Sequence, residues 1–269
     1  MKKINVFRWL LFPFGWLYGV VGWCRNKLYD WKVLKATGFD GVRLIGVGNL
    51  SSGGTGKTPH VEYLVNRYKE NYKVATLSRG YKRKTKGFVL ATAQSTALEI
   101  GDEPMQMYRK FGKEGVSVAV CENRVEGVRK LLELQPDIEV IVLDDVFQHR
   151  RIQVDTLYLL TDFSHLFTED FVLPMGSLRE FRKGYERADV IVVTKCSNDL
   201  TEVRKEEIVE GIRPLEHQKV IFSFLEYGVP YSFFDAPHTV QHPPNPLQRG
   251  NSIVLDWEED AAVLVVCGI

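Results

Sequence analysis

The sequence predicts an α/β fold, a mostly parallel sheet flanked by helices, and three observations carry that prediction. Short Val/Ile/Leu-rich runs alternate with helix-length segments, the runs are apolar on both faces, and the first of them feeds a glycine-rich turn that opens a helix. The expected strands are Val42–Gly48, Val74–Ser78, Val116–Cys121, Val140–Leu143, Thr156–Leu160, Val190–Thr194, Val220–Phe224 and Val263–Cys267. The expected helices are Thr58–Tyr68, Glu103–Phe111, Arg124–Leu134 and Glu202–Glu210. Ligands of such sheets collect at the carboxyl ends of the strands.

The glycine-rich turn is Ser51-Ser52-Gly53-Gly54-Thr55-Gly56-Lys57-Thr58. Glycines let successive backbone N–H groups converge on an anion, and the following helix points its positive dipole end at the same spot. All eight residues are candidate nucleotide contacts: Lys57 reaches the β- and γ-phosphates and Thr58 ligates Mg²⁺. The pattern G-x-x-x-x-G-K-[ST] asks for glycine at position 51, where this chain has Ser51. The architecture expected is therefore of the P-loop nucleoside triphosphatase type. Its metal side is expected at the strand tip Val140-Ile141-Val142-Leu143-Asp144-Asp145, with Asp144 and Asp145 acting directly or through water.

Composition narrows the function classes. With 269 residues, 45% hydrophobic content and 26% charged, the chain is long enough for one large domain or two small ones. A net charge of +1 argues against a general nucleic-acid binder. Cys24, Cys121, Cys196 and Cys267 form no C-x-x-C pair, which disfavours a zinc site or disulfide framework and points to a reducing compartment.

Charge is uneven at the start. Lys2, Lys3, Arg8, Arg25, Lys27, Lys32 and Lys35 face only Asp30 in the first 36 residues, and Trp9, Trp16, Trp23 and Trp31 lie there too. The uncharged stretch between Arg8 and Arg25 is shorter than the ~20 residues that span a bilayer, and Pro13, Gly15, Gly19 and Gly22 interrupt it. Trp9, Trp16 and Trp23 recur every seven residues, the pattern of a helix lying in the headgroup region. A helix packed on its own domain is the rival reading. A signal peptide is disfavoured because no A-x-A-like cleavage site follows.

Three units are expected: a membrane-associated segment over 1–36, a phosphate-loop core over 37–160, and a smaller C-terminal subdomain over 161–269. Tyr227 to Asn251, rich in Pro, reads as an irregular connection or small subdomain. The chain reaches Ile269 two residues after a core-like strand, so a fragment of a longer protein is the expectation.

Other clusters gather at the predicted ligand edge. Asp102, in Gly101-Asp102-Glu103-Pro104, stands where an N-cap belongs, the role that the pattern favours, and a carboxylate there is also placed to take a proton from an attacking hydroxyl. Arg79 and Arg83 follow one strand, and His149, Arg150 and Arg151 follow another, as candidates for a substrate phosphate. Arg179 and Glu180 end the loop Leu173-Pro174-Met175-Gly176-Ser177-Leu178, and an adjacent pair of this kind is also what a surface salt bridge looks like. Thr194-Lys195-Cys196-Ser197 stands where a GTPase carries N-K-x-D; without the Asp, ATP is favoured over GTP.

In order, these blocks resemble the tetraacyldisaccharide 4′-kinase family of lipid A biosynthesis. The resemblance runs through Pro13-Phe14, Trp16-Leu17-Tyr18-Gly19, Arg25-Asn26-Lys27-Leu28-Tyr29-Asp30, Val47-Gly48-Asn49-Leu50 and the phosphate loop to Pro59. It continues in Ser78-Arg79-Gly80-Tyr81, Gly101 to Pro104, Asp144-Asp145-Val146-Phe147-Gln148-His149-Arg150-Arg151, Leu173 to Glu180 and Val193 to Cys196. The family does not keep the first loop glycine, so Ser51 is no defect. The resemblance implies ATP- and Mg²⁺-dependent phosphorylation of the 4′-hydroxyl of an acylated disaccharide 1-phosphate at the cytoplasmic face of the bacterial inner membrane, with no obligate protein partner. It also implies a bilayer-contacting N-terminal helix, Asp102 as catalytic carboxylate, and Arg179 and Glu180 at the active-site rim. Two departures stand out: Val146 replaces the family's usual glycine, and the family carries nearer its C-terminus a His-containing motif that supports the catalytic Asp, which this chain ends before reaching; if the fragment is all there is, nucleotide binding with poor turnover is the expectation. A membrane-docking partition-type ATPase is the alternative, against which Ser52 stands where those proteins carry a signature lysine; a non-catalytic membrane adaptor is the third.

Overall fold

A computed structural model describes residues 9–224, 253–255 and 262–264. The Pro-rich stretch and the last residues of the expected terminal strand lie outside the described residues, as do Lys2, Lys3 and Arg8. Helix α1 (Phe12–Asp30) precedes β1 (Arg43–Asn49), α2 (Lys57–Lys69), β2 (Val74–Ser78), β3 (Val89–Leu90), α3 (Ala97–Ile100), α4 (Asp102–Phe111), β4 (Ser117–Val120) and α5 (Arg124–Leu134). Then follow β5 (Val140–Leu143), β6 (Thr156–Asp162), β7 (Val190–Cys196), α6 (Glu202–Ile212), β8 (Lys219–Phe224), β9 (Ile253–Leu255) and β10 (Ala262–Leu264). The order across the sheet is β10-β9-β8-β7-β6-β1-β5-β2-β4-β3. From β8 to β4 every pairing is parallel, and β3, β9 and β10 are antiparallel additions at the two edges.

Alternation along each central strand explains why both faces had to be apolar. Ile45, Val47, Val140 and Val142 point to one face, where Val61, Leu64 and Val65 of α2 and Met107 and Phe111 of α4 cover them. Leu44, Ile141 and Leu143 point to the other, under Val128 and Leu131 of α5. Ile191 and Val193 continue that second layer beneath Ile208 and Ile212 of α6. This is the two-sided burial expected of parallel strands. The boundary expected at residue 160 falls inside β6, and β7 and β8 extend the same sheet without a break.

The chain order fixes where the strand tips meet. β1 lies between β5 and β6, so the chain works outward on one side through β2 and β4, returns to β5, and crosses to β6. The carboxyl ends of β1, β5, β2, β6 and β7 therefore share one edge, with β1 and β5 adjacent at a topological switch point. Close approach there depends on Gly48, where a Cβ would lie 2.6 Å from Phe147 Cβ and 2.8 Å from the Phe147 backbone nitrogen.

Helix α1 answers the sequence's two rival readings with a two-sided arrangement. Gly15 and Gly19 are buried: a Cβ on Gly15 would lie 3.1 Å from the Val172 carbonyl oxygen, and one on Gly19 would lie 2.4 Å from the Phe181 ring. Trp16, Leu17, Val21 and Trp23 point outward, and Phe14 remains 64% exposed. Among the described residues no helix is long and apolar enough to cross a membrane.

Gly48→Ala is expected to cost about 2–3 kcal/mol, because backbone rather than a movable side chain blocks the added methyl. Gly22→Ala, with nothing within 4 Å of the added atom, is expected to gain up to about 1 kcal/mol of helix propensity. Urea denaturation of the two variants measures both; similar midpoints would contradict the packing described.

Candidate active site

The phosphate loop leaves the tip of β1 and re-enters helix at Lys57. Gly56 caps α2 with φ 78°, a left-handed conformation that glycine adopts without a Cβ penalty. Gly53 and Gly54 stand open, with nothing within 4 Å of where a Cβ would be. Ser51 and Ser52 are placed differently. Ser51 forms a bridge with Leu178, and both the Ser52 N–H (2.7 Å) and hydroxyl (3.0 Å) donate to the Ser177 carbonyl. The two serines thus zip the loop entrance to the Leu173–Glu180 segment.

Lys57 Nζ donates to Asn49 Oδ1 at 3.3 Å and lies 3.6 Å from Asp145 Oδ1. Asn49, fully buried at the end of β1, also donates from Nδ2 to the Gly53 carbonyl at 3.3 Å. Arg179 Nη1 donates to both Asp145 oxygens at 3.1 Å and to Gln148 Oε1 at 3.2 Å. Burial would raise the Asp145 carboxyl, but the charges of Lys57 and Arg179, with the hydrogen bond from Arg179 and the Arg124 charge, hold it below the usual carboxylate range. Its backbone φ of 49° is left-handed, which turns the chain at the tip of β5.

Asp144 differs from its neighbour. Its Oδ1 is buried without a hydrogen-bond partner. Burial first, and then the negative charge of Glu103, push its carboxyl up to about 6 despite the charges of Lys57 and Arg124. Ser78, in the next strand over at the same edge, likewise has a buried hydroxyl without a partner. Beneath them Arg124, 2% exposed at the start of α5, donates to the carbonyls of Cys121 (2.7 Å) and Asp144 (2.9 Å).

Asp102 is the first residue of α4 and is exposed. The cap expected of it falls to Gly101, whose φ of 96° and contact with the Gly80–Tyr81 backbone set the helix against the carboxyl end of β2. The effect of Glu103 on Asp144 puts this first turn within electrostatic reach of the β5 tip.

The cations expected to meet a substrate divide into two groups. Arg79 and Arg151 are exposed. Arg83 is corrected to a scaffold role: its side chain is 2% exposed, paired with Glu122 at 2.7 Å and bonded to the Gly87 carbonyl at 2.6 Å. Arg150 pins α1, donating to the Asn26 carbonyl at 2.8 Å and to Asp30 Oδ1 at 2.9 Å while lying over the Tyr29 ring. Burial, then the Arg124 charge, bring His149 down to about 4, so its ring is neutral at pH 7.

Glu180 is 3% exposed and serves as a hub rather than a rim. It accepts from Asn26 Nδ2 (2.6 Å), Arg187 Nη2 (2.8 Å) and Gln148 Nε2 (3.5 Å), and Gln148 also donates to the Asn49 carbonyl at 2.8 Å. A polar chain therefore runs from α1 to the residue that holds Lys57. Asn26, Asn49, Arg124, Gln148 and Arg187 were not singled out as site residues from the sequence. Asn26, Asn49 and Gln148 lie in the blocks that carry the family resemblance, and Asn49 also stands out as a polar residue ending an apolar strand; Arg124 and Arg187 carried no such signal.

Residues 7–234 match the family model described as tetraacyldisaccharide-1-P 4'-kinase. The tetraacyldisaccharide 4'-kinase of Bacteroides thetaiotaomicron is 49% identical over 226 residues, 84% of this chain and 58% of that protein. The enzyme of the same name from Phocaeicola vulgatus is 42% identical over 270 residues, 99% of this chain and 69% of that protein. The structure is similar to the "apo" form of LpxK from Aquifex aeolicus in complex with ATP, with TM-score 0.68 and 36% identity over 83% of this chain and 66% of that one. The chain spans under two thirds of the Bacteroides thetaiotaomicron protein. A family match through most of the sequence, relatives at this identity and a shared fold lead to one conclusion: the chain belongs to the tetraacyldisaccharide 4′-kinase family.

Proposed function

We propose that this chain carries the phosphoryl-transfer site of a kinase that uses ATP and Mg²⁺ to phosphorylate the 4′-hydroxyl of a tetraacylated disaccharide 1-phosphate. The observation that carries the reading is the convergence of the open glycines 53 and 54, Lys57 and the Asp144–Asp145 pair at the tips of β1 and β5. Family membership supports the lipid acceptor, and the ATP held by the Aquifex aeolicus relative supports the donor.

In this reading the loop amides, the N-terminus of α2 and Lys57 hold the β- and γ-phosphates. The buried, unpartnered Asp144 Oδ1 fits a divalent cation, and Asp144 with Thr58 would hold it. Such a cation, when bound, neutralises charge on the phosphates. Asp145, engaged by Lys57 and Arg179, fixes their positions and would act on the metal through water. Asp102 accepts the hydroxyl proton as the acceptor oxygen bonds to the γ-phosphorus and the bond to the ADP oxygen breaks. Positioning and preorganised charge supply most of the rate. The outward aromatic face of α1 rests on the lipid headgroups at the cytoplasmic face of the inner membrane, with its glycine face on the domain.

Three measurements test this. Incubated with radiolabelled ATP and the acceptor lipid, the chain is expected to label the lipid; Asp102→Ala is expected to lower transfer by about 10²-fold or more with nucleotide affinity unchanged. Label confined to free phosphate would contradict the kinase reading.

Asp144 has a second readout. Its folded pKa of about 6 lies above the ordinary 3.8, so the folded state binds the proton more tightly. Its contribution to stability is complete below pH 4 and lost as pH rises through 6. At pH 8 in chelator, Asp144→Asn is therefore expected to melt about 2–4 °C higher, as for roughly 1 kcal/mol in a chain of this size, and to lose the Mg²⁺-induced rise in Tm shown by the parent. An equal Mg²⁺ response in both would exclude Asp144 as a ligand.

Replacing Phe14 and Leu17 with Glu is expected to weaken binding to anionic vesicles more than tenfold, since each buried side chain contributes about 2 kcal/mol. Unchanged vesicle sedimentation would remove the membrane assignment.

A further inference from the structure

Every carbonyl from Gly53 to Gly56 accepts a hydrogen bond from a side chain. Asn49 Nδ2 donates to Gly53 O at 3.3 Å, Lys195 Nζ to Gly54 O, Thr194 Oγ1 to Thr55 O at 3.0 Å, and His60 Nδ1 to Gly56 O at 2.7 Å. A carbonyl can only accept, so the Nδ1 of His60 carries its proton and Nε2 accepts from Ser223 Oγ at 3.1 Å. Three of these four donors lie outside the loop's own strand, and none is explained by the kinase reading as given above.

The backbone of β7 is bent to supply two of them. The register between β7 and β8 shifts between Val193 and Cys196, and Lys195 has φ 56°. A bulge re-aims side chains, and a non-glycine residue at such a φ persists only where its surroundings hold it. The surroundings here are specific: Lys195 Nζ also pairs with Asp162 Oδ2 at 2.8 Å, and Asp162 ends the neighbouring strand β6. Thr194, 1% exposed, has a single hydroxyl proton, which lies between the Thr55 carbonyl at 3.0 Å and the Thr161 carbonyl of that strand at 3.2 Å. A strained, bulged strand end is thereby tied both to its neighbour and to the phosphate loop.

We propose that Thr194, Lys195 and His60 are positioning residues of the phosphate loop, holding its carbonyls turned inward so that its amides face the anion. Consecutive amides that share a direction form an anion-binding concavity, and fixing the carbonyls on the opposite side removes the alternative in which an oxygen blocks it. The inference rests on the reading of this loop as a phosphate site. It also gives the Thr194-Lys195 pair a role that does not depend on reading a base.

The test is the affinity of this chain for a fluorescent ADP analogue with Mg²⁺, measured beside thermal stability. Thr194→Val and His60→Leu are each expected to weaken binding about tenfold or more, and Lys195→Met about five- to tenfold because its ammonium is partly exposed. Lys195→Arg is expected to recover most of the affinity. Lys195→Gly separates positioning from general stability: it relieves the left-handed backbone, so Tm is expected to hold or rise while nucleotide affinity falls. Parent-like affinity in Lys195→Gly and Thr194→Val, with the parent binding nucleotide, would overturn the inference alone. A parent chain that binds no nucleotide would overturn the phosphate-site reading and this inference with it.

Discussion

Two carboxylates at the tip of a strand buried on both faces are the constraint around which this molecule is arranged. Asp144 and Asp145 follow four buried apolar residues; Asp144 keeps one carboxylate oxygen buried without a partner, and Asp145 keeps about a third of its side chain in solvent. Lys57 and Arg179 answer Asp145, and Arg124 lies beneath the pair. Each of these cations fixes another element. Lys57 anchors the start of α2, Arg124 the start of α5, and Arg179 draws the Leu173–Glu180 segment over the loop entrance. Lys57 and Arg179 share the Asp145 carboxylate, so a change at any one of the three alters the partners of the other two.

From Arg179 the arrangement extends outward. Gln148 bonds Arg179, Asn49 and Glu180, and Glu180 bonds Asn26 of α1. The outer helix is thus tied by polar bonds to the residue that holds Lys57, while Gly15 and Gly19 bring its backbone against the domain. The same helix turns its aromatic side chains away. One short segment serves as a structural cover on one face and as an apolar surface on the other.

The sheet was legible in the sequence because its signal is local. β2, β5 and α5 begin and end where the apolar runs do, and the glycine turn with Lys57 falls at the start of α2 as the motif requires. The two-residue β3 and four-residue α3 were not legible, being too short to carry a period. The neighbourhood of Lys57, Asp144 and Asp145 was legible because each ends or follows an apolar strand in a motif, and the structure brings Lys57 to 3.6 Å from Asp145. It was not legible where the partner is distant in sequence: nothing near Arg83 announces Glu122, and nothing near Arg150 announces Asp30. Glu180 looked like half of a surface pair with Arg179, yet it is buried, its cation is Arg187, and Asn26 of α1 donates to it. Asp102 looked like a cap because caps are usually polar, whereas a glycine with positive φ took that place.

The most direct measurement is a crystal structure of this chain with Mg²⁺ and a non-hydrolysable ATP analogue. The account predicts the β- and γ-phosphates against the amides of Gly53 to Lys57, Lys57 Nζ moved from Asn49 onto them, and the metal on Thr58 and Asp144 Oδ1. A nucleotide bound elsewhere, or one bound here with Asp144 still without a partner, would contradict it.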